Sequence, residues 1–107
     1  MLITKYDKLV RDRIPEIIEA SGKRCVCSTL SDEEYLTKLD EKLNEELAEY
    51  QGSKSMEELA DLLEVIRAVA VARGSSMEEL EVIRRDKAAK HGGFEKKILL
   101  TEVTAVD

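Results

Sequence analysis

Two acidic clusters, Glu45-Glu46-Leu47-Ala48-Glu49 and Glu57-Glu58-Leu59-Ala60-Asp61, flank the short polar break Gln51-Gly52-Ser53-Lys54. No other stretch constrains the fold as strongly. Both clusters have helical composition, and the break is short enough to predict an antiparallel αα-hairpin. Glu46 and Glu49 lie three apart, as do Glu58 and Asp61, so each pair occupies one helical face. A turn centred between Ser53 and Lys54 puts Glu49 level with Glu58 and Glu46 level with Asp61. Four carboxylates then meet at two levels separated by ~4.5 Å, given the rise per residue of a helix.

Carboxylates so placed repel one another unless cations sit among them. An oxygen-seeking divalent ion, Mg²⁺ or alternatively Mn²⁺, suits such a donor set. Two simpler readings compete. A glutamate-rich helical face is often only solvated, and Ser55-Met56-Glu57-Glu58 fits a capping box that would turn Glu58 back to its own helix start. The patterning favours convergence. On the first helix of the pair, Glu46 falls roughly 50° from the centre of the stripe Leu36, Leu39, Leu43, Leu47 and Tyr50, whereas Glu45 points away. On the second, the face bearing Glu58 and Asp61 continues into Val65, Ala68, Val69 and Ala72.

The rest of the chain predicts an all-α protein in one domain, residues 1–107. Charged residues make up 37% of it, with a single proline, which is a helical composition. A short helix is expected over Leu9–Ala20, but Pro15 is an obstacle inside it, and a start at Pro15 after an irregular turn is the alternative. A capping box at Ser31–Glu34 opens the next helix, which runs to about Gln51. The third spans about Ser55–Arg73, and the fourth opens at a further capping box, Ser76–Glu79, and reaches about Lys90. Residues 24–30 and 97–103 alternate weakly and are candidates for a small two-stranded β element, with Phe94 docking the tail. Cys25 and Cys27 read as buried small apolar residues, since no second cysteine pair or histidine cluster accompanies them. Val65–Ala72 is apolar nearly all round, more than a few helices of a 107-residue chain can cover. A homodimer completing an antiparallel bundle of about four helices is therefore expected.

A net charge of −6 and a pI of about 4.9 argue against nucleic acid as the main partner. No run is long and apolar enough for a membrane span and no secretory pattern is seen, so a cytoplasmic protein is expected. On the fourth helix the side carrying Leu80 and Ile83 continues into Arg84, Lys87, Lys90 and His91. Acidic metal ligands and a basic face in one small domain suit a phosphate-bearing substrate. Lys87, Lys90 and Arg84 are candidate hydrogen-bond donors to phosphate oxygens, with an ordinary charged surface as the rival reading. Glu45, beside the ligands but off the apolar stripe, is a candidate to steer an attacking water or to act as its base. His91 is a solitary imidazole at a helix end, where the dipole favours its cation. No phosphate-binding glycine loop, zinc-protease motif or serine triad is present.

Three blocks of residues resemble the MazG-like branch of the all-α NTP pyrophosphohydrolase superfamily, particularly small proteins described as phosphoribosyl-ATP pyrophosphohydrolase-like. They are Lys5-Tyr6-Asp7-Lys8-Leu9-Val10-Arg11-Asp12-Arg13-Ile14-Pro15-Glu16-Ile17-Ile18, the EExxE and ExxD pair at Glu45–Glu49 and Glu58–Asp61, and Lys87-Ala88-Ala89-Lys90-His91-Gly92-Gly93-Phe94. The resemblance implies Mg²⁺-dependent hydrolysis between the α and β phosphates of a nucleoside triphosphate, releasing a monophosphate and pyrophosphate. It implies that Glu46, Glu49, Glu58 and Asp61 bind metal, and that Lys8, Arg11, Lys87 and Lys90 bind phosphate. A dimer or dimer of dimers is implied as well. Two features depart from that pattern: the spacer between Glu49 and Glu58 is short, and His91 stands where similar proteins tend to carry arginine. Hydrolysis of phosphoribosyl-ATP is the enzymatic alternative. A non-catalytic helical dimerisation or nucleotide-binding module is the alternative from another class.

Overall fold

The computed structural model describes residues 2–106. Four helices follow one another: α1 (Ile14–Ala20), α2 (Asp32–Ser53), α3 (Met56–Ala72) and α4 (Met77–His91). The protein is all-α, and no strand occurs among the described residues.

Helix α1 starts at Ile14, beside Pro15, as the alternative start had it, and not at Leu9. A helix begun at Leu9 would need an amide hydrogen on Pro15 to bond the Arg11 carbonyl. Instead the Ile14 amide donates to Arg11 O at 3.0 Å, and Pro15 takes a first-turn position where no donor is required. The capping box at Ser31 forms in full: Ser31 Oγ accepts from the Glu34 amide, and the Glu34 carboxylate accepts from the Ser31 amide. That carboxylate is held below its ordinary range by the Ser31 backbone and hydroxyl donors. Helix α3 ends in a Schellman motif. The Ser75 amide donates to Ala70 O and the Gly74 amide to Val71 O, with Gly74 at φ +86°.

Helix α2 extends two residues beyond Gln51 and carries Gly52 inside it. The reversal therefore falls on Lys54 and Ser55, with Lys54 in the left-handed region at φ 58°. Its amide donates to Tyr50 O at 2.6 Å, and its ammonium lies over the Tyr50 ring, 5.6 Å from the centroid. So tight a link forces α2 and α3 to pack antiparallel, and this is the main helix pair of the molecule; α4 touches α3, and α1 packs on no other helix. At the far end of the hairpin Arg73 pairs with Asp40 at 3.5 Å.

Leu39 is the one fully buried apolar residue among those described, at 2% exposure. Leu63, Val71, Val82 and Ile83 are each half exposed or slightly more. An open apolar groove of ≈ 220 Å³ runs between Leu43, Ile66, Val69, Ala70 and Leu80. The radius of gyration is 19.3 Å, against about 13 Å for a compact chain of this length. No helix among the described residues is long and apolar enough to cross a membrane.

Two expectations are corrected. Residues 24–30 and 97–103 do not pair as strands: Val26, Ile98, Leu99, Leu100 and Val103 face solvent. A lone two-stranded ribbon is barely stable in water, and no helix supplies a surface for one here. Nor does Phe94 dock the tail, being 96% exposed. The burial expected of both cysteines is met only in part: Cys25 is half-buried against the Pro15 carbonyl, while Cys27 is exposed because no helix packs over its segment.

The left-handed Lys54 yields a stability prediction. A side chain there costs ~1 kcal/mol or more in backbone sterics, partly offset by the greater unfolded-state freedom of glycine. Lys54→Gly is expected to raise the melting temperature by several degrees in a circular-dichroism melt. An unchanged or lower melting temperature contradicts the strain at this turn.

Candidate metal and phosphate site

The acidic end of the hairpin lies next to this turn. From α3, Glu58 and Asp61 meet Glu46 of α2, and one carboxylate oxygen from each lies within 4.8 Å of the other two. Ligand oxygens around an octahedral Mg²⁺ at ~2.1 Å sit about 3.0 Å apart when adjacent and about 4.2 Å when opposite. The trio is thus near the spacing such an ion needs, and its all-oxygen, partly buried donor set has the right chemistry.

Glu58 is available because it does not cap its own helix. Ser55 Oγ accepts from the Glu58 amide at 3.3 Å, but the Ser55 amide donates to Ser53 Oγ rather than to the Glu58 carboxylate. The capping-box alternative for Glu58 is therefore not what forms. Partial burial is the main cause that pushes its carboxyl above the ordinary range, followed by the charges of Glu49, Asp61, Glu46 and Glu57.

Glu49 lies outside the trio and faces solvent, although its charge still reaches Glu58.

Cations compensate the rest of the cluster. Arg11 Nη2 donates to Asp61 Oδ1 at 2.7 Å, and Lys8 Nζ to Glu45 Oε1 at 2.9 Å. Lys42 Nζ lies 3.2 Å from Glu45 Oε1 and 3.4 Å from Glu46 Oε1. Among the described residues Glu58 forms no ion pair. The hydrogen bond from Lys8 is the leading cause that holds Glu45 below its ordinary range, so it is ionised at neutral pH. The same contact raises Lys8.

The structure does not bring α4 to the cluster. Arg84 pairs with Glu81 of its own helix through 2.6 and 2.9 Å contacts, which raise the Arg84 value. Lys87, Lys90 and His91 are exposed, and α4 touches α3 alone. Sequence reasoning overlooked Lys42. Its signal was present, since it stands three and four residues before Glu45 and Glu46, the spacing of intrahelical ion pairs.

No protein-family model matches the chain, and no solved structure matches it. The chain is 59% identical over 46 residues to an uncharacterized protein of Mycolicibacterium smegmatis, a match covering 43% of this chain and 47% of that protein. The chain thus aligns with about half the length of this relative.

Glu58 also sets a pH dependence. With its folded-state value raised, the stability it contributes is present below its unfolded value near 4.5 and is lost as pH rises through the folded value. Glu58→Gln is therefore expected to raise the melting temperature at pH 7 in the presence of EDTA. It should also flatten the fall in stability between weakly acidic and neutral pH. Equal melting profiles for the two proteins would contradict the partial burial and crowding of charge around Glu58.

Proposed function

We propose that the protein is a Mg²⁺-dependent nucleoside triphosphate pyrophosphohydrolase of the MazG-like type, working on non-standard nucleotides as a homodimer. The observation that carries this reading is the convergence of Glu46, Glu58 and Asp61 from two helices, at the positions the resemblance marks as metal ligands. These three would hold the ion, with Glu49 one turn along α2 from Glu46 as a further candidate. When bound, Mg²⁺ supplies neutralisation of the phosphate charge; Mn²⁺ suits the same oxygens.

The chain's own residues account for the remaining roles. Glu45, ionised and held beside Lys42 of its own helix, accepts the proton of a water that attacks the α-phosphorus. The bond from that phosphorus to the α–β bridging oxygen breaks, releasing monophosphate and pyrophosphate. Lys8 and Arg11, already at the cluster, bind phosphate oxygens. Arg84, Lys87 and Lys90 serve the substrate only if assembly carries α4 to the acidic end of a hairpin.

The half-exposed Leu63, Val71, Val82 and Ile83 and the open apolar groove support a second copy as the missing cover. One observation favours a non-catalytic nucleotide-binding module: Glu45, Glu46 and Asp61 already have cation partners within the chain.

Incubation with Mg²⁺ and a panel of standard and modified triphosphates, with phosphoribosyl-ATP alongside, should release pyrophosphate. Glu45→Gln is expected to slow turnover about 10²-fold or more while leaving the far-UV spectrum unchanged. Nucleotide binding without turnover would favour the module instead. For assembly, sedimentation should give a dimer, and Val71→Asp should shift it toward monomer. A wild-type monomer at micromolar concentration would remove the homodimer.

A further inference from the structure

The N-terminal segment, residues 2–13, has no helix, and Leu9 is its one half-buried residue. Leu2, Ile3, Tyr6 and Val10 face solvent. Its recorded side-chain hydrogen bonds to the hairpin are those of Lys8 to Glu45 and Arg11 to Asp61, with α1 beyond it packed on no other helix. The segment is thus held largely by charge, and one of its two anchors is a carboxylate of the metal-binding trio.

We propose that Arg11 and Lys8 are tethered counter-cations of the acidic cluster, and that a divalent ion displaces them and frees residues 2–13 from the hairpin. This inference rests on the metal-binding reading above. Asp61 cannot serve both cations fully, because a guanidinium 2.7 Å from Oδ1 would lie within a few ångströms of a dication on the same carboxylate, where like charges repel. The contest favours the dication. Arg11 and Asp61 are 58% and 42% exposed, and an ion pair that wet contributes little, whereas the dication gains three carboxylates at once. Lys8 follows because it shares the short segment and is 44% exposed. Displacement leaves a guanidinium and an ammonium on a loose strand beside the site. The planar guanidinium can then pair bidentately with phosphate. Metal loading thereby turns an internal brace into a free anion-binding arm, so the ion must bind before the arm can receive a phosphate.

Trypsin reads the release directly, since it must take a free lysine or arginine side chain. Adding Mg²⁺ to the wild-type protein, with NaCl of equal ionic strength as the control, should speed cleavage after Lys8 and Arg11 roughly two- to five-fold. Cleavage after Lys97 in the exposed tail should not change. In calorimetry, Arg11→Ala should bind Mg²⁺ roughly two- to five-fold more tightly than wild type. Arg13→Ala, which removes the same charge from a residue paired with Glu16, should not. If Mg²⁺ binds but the cuts do not accelerate, or Arg11→Ala matches Arg13→Ala or binds more weakly, the displacement is overturned while the metal site stands. If Mg²⁺ does not bind the wild-type protein, the metal reading and this inference fall together.

Discussion

Packing α2 against α3 through so short a link forces their acidic ends together, and much of the molecule answers to that crowding. The contact that buries Leu39 also brings Glu46, Glu58 and Asp61 to one place, so the hairpin cannot form without a concentration of negative charge beside its turn. In the chain alone, Lys42 from the same helix and Arg11 and Lys8 from the N-terminal segment offset part of this charge. Glu58 is left without a partner among the described residues, and partial burial first, then the neighbouring acidic charges, hold its carboxyl above the ordinary range.

The hairpin separates two jobs along its length. Charge gathers near Lys54, whereas the open groove at Leu43, Ile66, Val69, Ala70 and Leu80 begins more than a turn further along α3 from Asp61. A second copy seated on that groove would leave the acidic end open. Assembly and ligand binding could then use the same two helices without competing for surface. The elongated shape and sparse burial of the single chain are what the proposal of a second copy rests on.

Basic residues are divided in a similar way. The three nearest the acids come from the N-terminal segment and α2, while those of α4 face solvent or pair within their own helix. Helical-wheel position alone could not rank them. Arg84, Lys87 and Lys90 share one side of α4, but that helix makes only a slight contact with α3 and none with α2.

The sequence by itself determined the helical class, the hairpin and most helix ends. Ser31 with Glu34, Pro15 and Gly74 act within a few residues of themselves, where local hydrogen bonding and backbone sterics decide the outcome. It also identified Glu46, Glu58 and Asp61 as a group, because helical periodicity and a short link leave few ways to arrange two helices. Tertiary structure decided the outward position of Glu49 and the seating of Lys8 and Arg11 on the acids. It likewise decided the absence of the expected strand pair among the described residues. Each depends on contacts between segments distant in the chain, and propensity is blind to whether such a partner is there.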